Sequence, residues 1–502
     1  MTSLLVKDYL ANEMWTSPLA FAIEQYIHYP LNRIGLNPPG FYAFSGPWML
    51  AFGDSRTSVL LFQIAWVVGL AAVACRTAQH LGFGIGAALL SLLLVSLPAV
   101  RLSYQDLYLD VATTLIACGA LISWYAYLNH GRNRAAYLFG LFAAAALLVK
   151  GTALFLALVP ALSIMLTRRF DLLKRPSFWI SAGIVLLIAG PWYILTSGLI
   201  AEAARDFVSP WTKFFGYFWV LVKNLGWVGL CLLCIGLGER TRYVLGQSHD
   251  TGANTWAVVL SAFAAVLLFQ SFAQVAALDR YMVPVLGLAL LLIWAGAEAV
   301  FRLAVTRYPA FGSGLAQRVF VPLLVLVSIV PALDLAQMAP RIGAGDVARE
   351  VASLLPETNP TLLIGSNNVG EGAVTSALVS LDPDHSTFFV IRGGRLFDKG
   401  GMMAHDYQAT VTDADQVMQS IDALAISLVV VDMSAPSQAL QHNRLLKALV
   451  EARPERFKVI WMSKDDGRPG WRPISVYRVE GVDGTARIDR LREVQAPHRL
   501  SM

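Results

Sequence analysis

Apolar residues fill the chain from Ser58 to Met338 in long runs, broken at intervals by short polar stretches, and then give way to mixed sequence. A helix in hydrocarbon must satisfy its own backbone and rises about 1.5 Å per residue, so only runs of roughly 17–25 apolar residues can cross. Ten such runs stand out, near 58–75, 84–100, 109–128, 136–149, 152–167, 178–197, 217–237, 255–275, 283–301 and 319–337. The fourth and fifth are short and are separated only by Lys150 and Gly151. From Gly343 onward, helical segments alternate with β-rich runs at 361–366 (TLLIGS), 387–392 (TFFVIR), 427–432 (SLVVVD), 458–463 (KVIWMS) and 474–480 (ISVYRVE). That alternation predicts a small open α/β sheet.

The distribution of cations gives the runs a direction, because Lys and Arg in short loops are retained on the cytoplasmic side. One alternating set of loops carries Arg76, Arg132, Arg134, Arg168, Arg169, Lys174, Arg175, Arg240, Arg242, Arg302, Arg307 and Arg318, which is twelve. The other carries Arg101, Lys150, Arg205, Lys213 and Arg280, which is five. The richer set is therefore expected in the cytoplasm, with residues 1–57 and the C-terminal domain outside. The expected fold class is a mainly α membrane protein, about ten transmembrane helices followed by a small extracytoplasmic α/β domain. Its divisions are an N-terminal loop with an interfacial segment (1–57), the transmembrane domain (58–338), the α/β domain (339–480) and a loose tail (481–502).

Composition agrees with this division. The chain is 56% hydrophobic and 15% charged with a mean hydropathy of +0.56, where a soluble domain carries about 25% charged residues. The net charge of +5 restates the basic loops and points to anionic lipid, not nucleic acid. All four cysteines (75, 118, 231 and 234) fall in apolar runs, which implies no disulfide framework. The turn GSNNVGEG after the first β-rich run fits neither a dinucleotide fingerprint nor a P-loop. An external N-terminal segment has to be translocated, yet residues 1–57 hold neither a signal peptide nor an initial spanning helix. The expectation is that a first transmembrane helix precedes Met1 in a longer product.

Ionisable groups in or beside membrane helices are costly, so each is a functional candidate. In RLSYQDLYLD (101–110), Asp106 and Asp110 are four apart and are expected on one helical face, with Asp106 suited to capping the helix start and Asp110 a turn deeper. Arg101 and Tyr104 belong to the same stretch. Lys150 interrupts an apolar run and either snorkels or holds an anion such as a phosphate. In LDRYMVP (278–284), Arg280 either grips phosphate with Tyr281 beside it or pairs with Asp279. Ahead of the first run, the aromatic and proline-rich stretch Tyr26–Tyr42 contains His28 and Asn37; a lone His28 has no second histidine at ligand spacing, so no metal site is assigned.

Four stretches together resemble the GT-C superfamily, specifically bacterial membrane glycosyltransferases related to protein O-mannosyltransferases and lipid A aminoarabinose transferases. They are NPPGFY followed by WMLAFGDS within 37–55, YLDVATTL at 108–115, LLVKG at 147–151 and DRYMVP at 279–284. The resemblance covers residues 1–300 and implies a multi-pass protein of the bacterial cytoplasmic membrane. It implies inverting transfer of a hexosyl or pentosyl group from a polyprenyl-phosphate donor to a lipid, glycan or protein acceptor. It implies Asp110 as an acidic catalytic residue and Lys150 and Arg280 as phosphate binders; Tyr281, Asn37, His28, Arg101 and Tyr104 join them as candidate substrate-binding residues. It implies no definite cofactor, a divalent metal being the one left open. The family's first acidic motif has no counterpart here except Asp8, which either substitutes for it or lies on the solvent face of an amphipathic helix. The position before Pro38, often His or Lys in the family, is Asn37. The rival readings are a transporter or lipid flippase, which shares this helix inventory, and a catalytically inactive assembly protein.

Overall fold

The computed structural model describes residues 2–30, 37–198, 209–247, 250–273, 277–309, 312, 314–333, 343–353, 360–382, 387–399, 407–464, 473–482 and 491. The chain divides into two compact units, one of residues 35–41 and 56–336 and the other of 1–34, 42–55 and 337–502.

The first unit is helical. Among the described residues, seven helices are long and apolar enough to cross a membrane, or eight if one bent pair counts as a single span. They comprise α4 (Arg56–His80), α7 (Asp110–His130), α10 (Pro176–Leu195), α11 (Pro210–Gly246), α12 (Thr251–Ala273), α13 (Val283–Arg307) and α14 (Gly314–Ile329). The protein is a multi-pass membrane protein. The second apolar run is the bent pair, α5 (Gly86–Ser96) and α6 (Pro98–Gln105), at 59°; Pro98 opens α6 and cannot donate back into α5. The fourth and fifth runs are the shorter helices α8 (Asn133–Val149) and α9 (Leu158–Thr167), the latter entered through a 3₁₀ turn, Gly151–Ala157. The apolar window of α13 is 72% buried and that of α10 only 11%, so α13 is central and α10 faces outward. Helix α11 is two arms joined at Gly226, whose φ of 68° a residue with a side chain adopts only at a cost.

Around the expected acidic pair the structure corrects the sequence reading. Helix α6 ends at Gln105 with Asp106 as its C-cap, Leu107 turns the chain at φ 58°, and α7 starts anew at Asp110. Asp106 and Asp110 therefore share no helix and no face, and Asp106 caps no helix start.

In the second unit, residues read as an N-terminal loop are helical instead: α1 (Thr2–Asn12), α2 (Pro18–His28) and most of α3 (Gly40–Phe52). The sheet holds β1 (Thr361–Gly365), β2 (Phe389–Arg392), β3 (Leu428–Asp432), β4 (Phe457–Met462) and β5 (Ile474–Val479) in the order β2-β1-β3-β5-β4. Strands β2, β1 and β3 run parallel, while β5 is antiparallel to both β3 and β4. All five β-rich runs are strands. The core beside the sheet includes Leu363, Phe389 and Val429 and extends to Ile27 of α2. It also includes Leu491, fully buried, which lies in the stretch read as a loose tail; the rest of that stretch beyond Val482 lies outside the described residues.

Candidate active site

Asp110 is the first residue of α7 and is only 2% exposed. Lys150 stands where α8 stops, its backbone extended (φ −157°, ψ 132°) between that helix and the 3₁₀ turn. The break in helical geometry directs its side chain across to α7, and Lys150 Nζ lies 2.5 Å from Asp110 Oδ1. The same ammonium lies 4.6 Å from the centre of the Tyr281 ring.

Arg280 approaches Tyr281 from its own strand of chain, its guanidinium 5.4 Å from that ring and 4.0 Å from the ring of Tyr108. An aromatic face attracts cations, so two tyrosines hold Arg280 near Lys150 without giving it a carboxylate. Asp279 pairs instead with Lys223 at 2.5 Å, and among the described residues Arg280 has no acidic partner. Two glutamines inside membrane helices fix the tyrosines from behind. Gln63 of α4 donates to the Tyr108 carbonyl and Gln270 of α12 to the Tyr281 carbonyl, both at 3.1 Å.

Buried polar atoms are nearly always paired. Here Asp110 Oδ2, Arg280 Nε, Gln270 Oε1 and the hydroxyl of its neighbour Ser271 are buried with no hydrogen-bond partner among the described residues. A ligand with hydroxyl donors for the unmet acceptors and an anionic group for the guanidinium would satisfy both at this end of the bundle.

The other expected site residues divide. Arg101 and Tyr104 are on α6, which packs against the Asp279–Met282 turn. Asn37 is exposed at the entry to α3. Three residues on, Gly40 lies so close to the end of α8 that a Cβ there would meet the Leu148 carbonyl at 2.6 Å, which ties this loop to the turn preceding Lys150. His28 and Asp8 belong to the second unit and have other surroundings. The His28 ring stacks on Phe389 at 4.1 Å and its Nδ1 lies 3.0 Å from the Phe388 carbonyl, which makes it part of the α/β core and not a ligand-binding group. Asp8 is buried, not on a solvent face, with Lys7 Nζ 3.0 Å from its carboxylate and 2.6 Å from that of Asp54. Among the described residues no group of three His, Cys, Asp or Glu side chains is placed to hold a metal ion.

Tyr108, Gln63, Gln270 and Lys223 were missed in the sequence. A polar amide inside an apolar run, as at Gln63 and Gln270, was the available signal for two of them.

A polytopic helical bundle with a charged cluster at helix ends, joined to an α/β domain, defines a recognisable architecture. Residues 37–195 match the family described as dolichyl-phosphate-mannose-protein mannosyltransferase. The crystal structure of ArnT from Cupriavidus metallidurans in the apo state aligns over 95% of this chain and 92% of its own, with a TM-score of 0.53 at 14% identity. The same protein bound to undecaprenyl phosphate aligns over the same shares with a TM-score of 0.52, again at 14% identity. No curated protein matches the sequence. The chain thus has the fold of the GT-C superfamily's PMT-like membrane proteins, as the resemblance implied.

Proposed function

We propose that this chain is an integral membrane glycosyltransferase that moves a sugar from a polyprenyl-phosphate donor to a lipid, glycan or protein acceptor at the extracytoplasmic membrane face. The carrying observation is the Asp110 carboxylate, clamped by Lys150 through one oxygen and, among the described residues, unpartnered at the other, with Arg280 nearby and paired with none of the described acids. The family match over 37–195 and the fold shared with a protein solved with undecaprenyl phosphate support the lipid-phosphate donor. The excess of Lys and Arg in the opposite loops supports the external placement.

In this reading Asp110 Oδ2 accepts the proton of the acceptor hydroxyl while Oδ1 stays on Lys150. The hydroxyl oxygen attacks the anomeric carbon from the face opposite the phosphate, and the bond from that carbon to the phosphate oxygen breaks, inverting the centre. The leaving lipid phosphate gains one negative charge, and the Arg280 guanidinium and the Lys150 ammonium stabilise it as it forms. Burial strengthens both interactions, since little water competes. Asn37, Arg101 and Tyr104 are assigned to donor or acceptor binding on the same side. Asp8, neutralised by Lys7, is assigned no step.

Purified protein in liposomes with a radiolabelled polyprenyl-phosphate sugar tests the proposal. Release of free polyprenyl phosphate with label on an acceptor is expected. Movement of intact donor between leaflets without bond cleavage would make the protein a flippase, and neither cleavage nor movement would leave only the assembly role.

A further inference from the structure

The membrane unit holds an apolar cavity of about 620 Å³ between α4, α5, α7, α12 and α13. That is ample for a ligand chain, in the range of ordinary small-molecule sites. Its walls are aliphatic, with Ala117 and Leu121 on one side and Val259 and Leu288 on the other. Polar groups gather at one end: Arg76 and His80 on the last turns of α4, and Tyr125 of α7, whose hydroxyl lies 3.3 Å from His80 Nε2.

That end is not the end where Asp110 sits. Helices α4 and α7 run in the same direction, since Gln63 meets Tyr108 at one end and His80 meets Tyr125 at the other. Tyr125 is fifteen residues along α7 from Asp110, so the two lie about 22 Å apart along the helix axis. A donor with its phosphate at Lys150 and Arg280 would leave Arg76 and His80 unused. Arg76 is exposed and has no ion-pair partner among the described residues. By the loop charges it faces the cytoplasm.

We propose that this cavity is a second lipid site, occupied by one acyl chain of an anionic glycerophospholipid from the leaflet on the Arg76 side. The phosphate rests on Arg76, with His80 and Tyr125 as hydrogen-bonding groups, and the chain fills the slot between α7 and α13. The charge at the mouth selects an anionic headgroup, and the aliphatic walls select a hydrocarbon chain over any polar ligand. A lipid there packs space that close-packed interiors do not leave void, with its phosphate at the Arg76 end and its chain reaching toward Thr114 and Pro284 at the other. The proposal does not depend on the glycosyltransferase reading, because its phosphate-binding groups, Arg76, His80 and Tyr125, lie at the opposite end of α7 from Asp110.

Native mass spectrometry of the detergent-purified full chain with added phosphatidylglycerol tests it, with added undecaprenyl phosphate as a separate arm. Wild-type protein should retain one phosphatidylglycerol. Arg76→Glu should weaken its retention by about fivefold or more, since it removes a cation near the lipid phosphate and adds an anion there. Gly287→Leu should also expel it, since Gly287 lines the cavity and a Cβ there meets only Leu94, at an ordinary contact of 3.6 Å, leaving the rest of the side chain to fill the cavity. Arg280→Ala should leave phosphatidylglycerol bound and weaken undecaprenyl phosphate instead. No retained phosphatidylglycerol in the wild type, or retention unaffected by both cavity variants, overturns the proposal. So does loss of undecaprenyl phosphate from Gly287→Leu with phosphatidylglycerol still bound, which would give the cavity to the donor's tail. Failure of the undecaprenyl phosphate arm alone counts against the glycosyltransferase reading and not against this one.

Discussion

Lys150 Nζ lies 2.5 Å from one oxygen of Asp110, and the other oxygen of that carboxylate, buried, has no partner among the described residues. A carboxylate held in this way keeps its orientation while presenting one acceptor to whatever enters the site. The pair joins two helix ends forty residues apart in sequence.

Arg280→Lys should weaken affinity for the lipid phosphate by about tenfold, although the charge is kept. An ammonium loses the planar stacking on Tyr108 and the bidentate grip that a guanidinium provides. Titration of undecaprenyl phosphate against wild type and variant measures it; equal affinities would show that Arg280 acts only as a charge.

Tyr29→Phe should destabilise the α/β unit by roughly 1–3 kcal/mol, because the buried Tyr29 hydroxyl donates to Asp382 at 2.5 Å. Hydrogen exchange in β2 and the adjoining helix is the readout. Unchanged protection there would mean that α2 is an accessory to the sheet and not part of its core.

How much of this was readable in advance differs by region. Every apolar run and every β-rich run corresponds to an element, because the periodicity of burial is a local property. Lys150 and Arg280 stood out as charges against apolar surroundings. What was lost depended on distance or on rare backbone geometry. His28 and Phe389 are far apart in sequence and stack in the fold, and no local pattern reports that. Asp106 and Asp110 have helical spacing, but Leu107 adopts a left-handed conformation unusual for leucine and breaks the helix between them. Tyr108 appeared only as part of a motif, since its ring matters through Arg280, far from it in sequence.

Acid should destabilise the α/β unit through His442. Burial pushes this imidazole down to about 4, against which Asp398 acts weakly, and its Nδ1 lies 2.9 Å from the Tyr407 hydroxyl. The unfolded chain takes up a proton near pH 6.5 and the folded one does not until about 4. Stability present above pH 6.5 is therefore lost as pH falls toward 4, by up to ~3 kcal/mol. A melting series from pH 7 to 4 should show this slope, flattened in His442→Gln; identical slopes would remove His442 as its source.

The loop containing Arg168, Arg169, Lys174 and Arg175 should be cytoplasmic and the α/β unit external. A single cysteine introduced at Ser380, exposed on its helix, should react with an impermeant thiol reagent in intact cells. Protection at Ser380 with labelling at Lys174→Cys would reverse the orientation.

The role of Asp110 is tested most directly by single-turnover transfer from saturating polyprenyl-phosphate sugar in wild type and Asp110→Asn, with donor binding measured on the same preparations. Asparagine preserves size and an acceptor oxygen but cannot take the proton, so the transfer rate should fall by about a hundredfold or more while donor binding changes little. Transfer at the wild-type rate by Asp110→Asn, with donor bound, would contradict the assignment of the acceptor proton to Asp110.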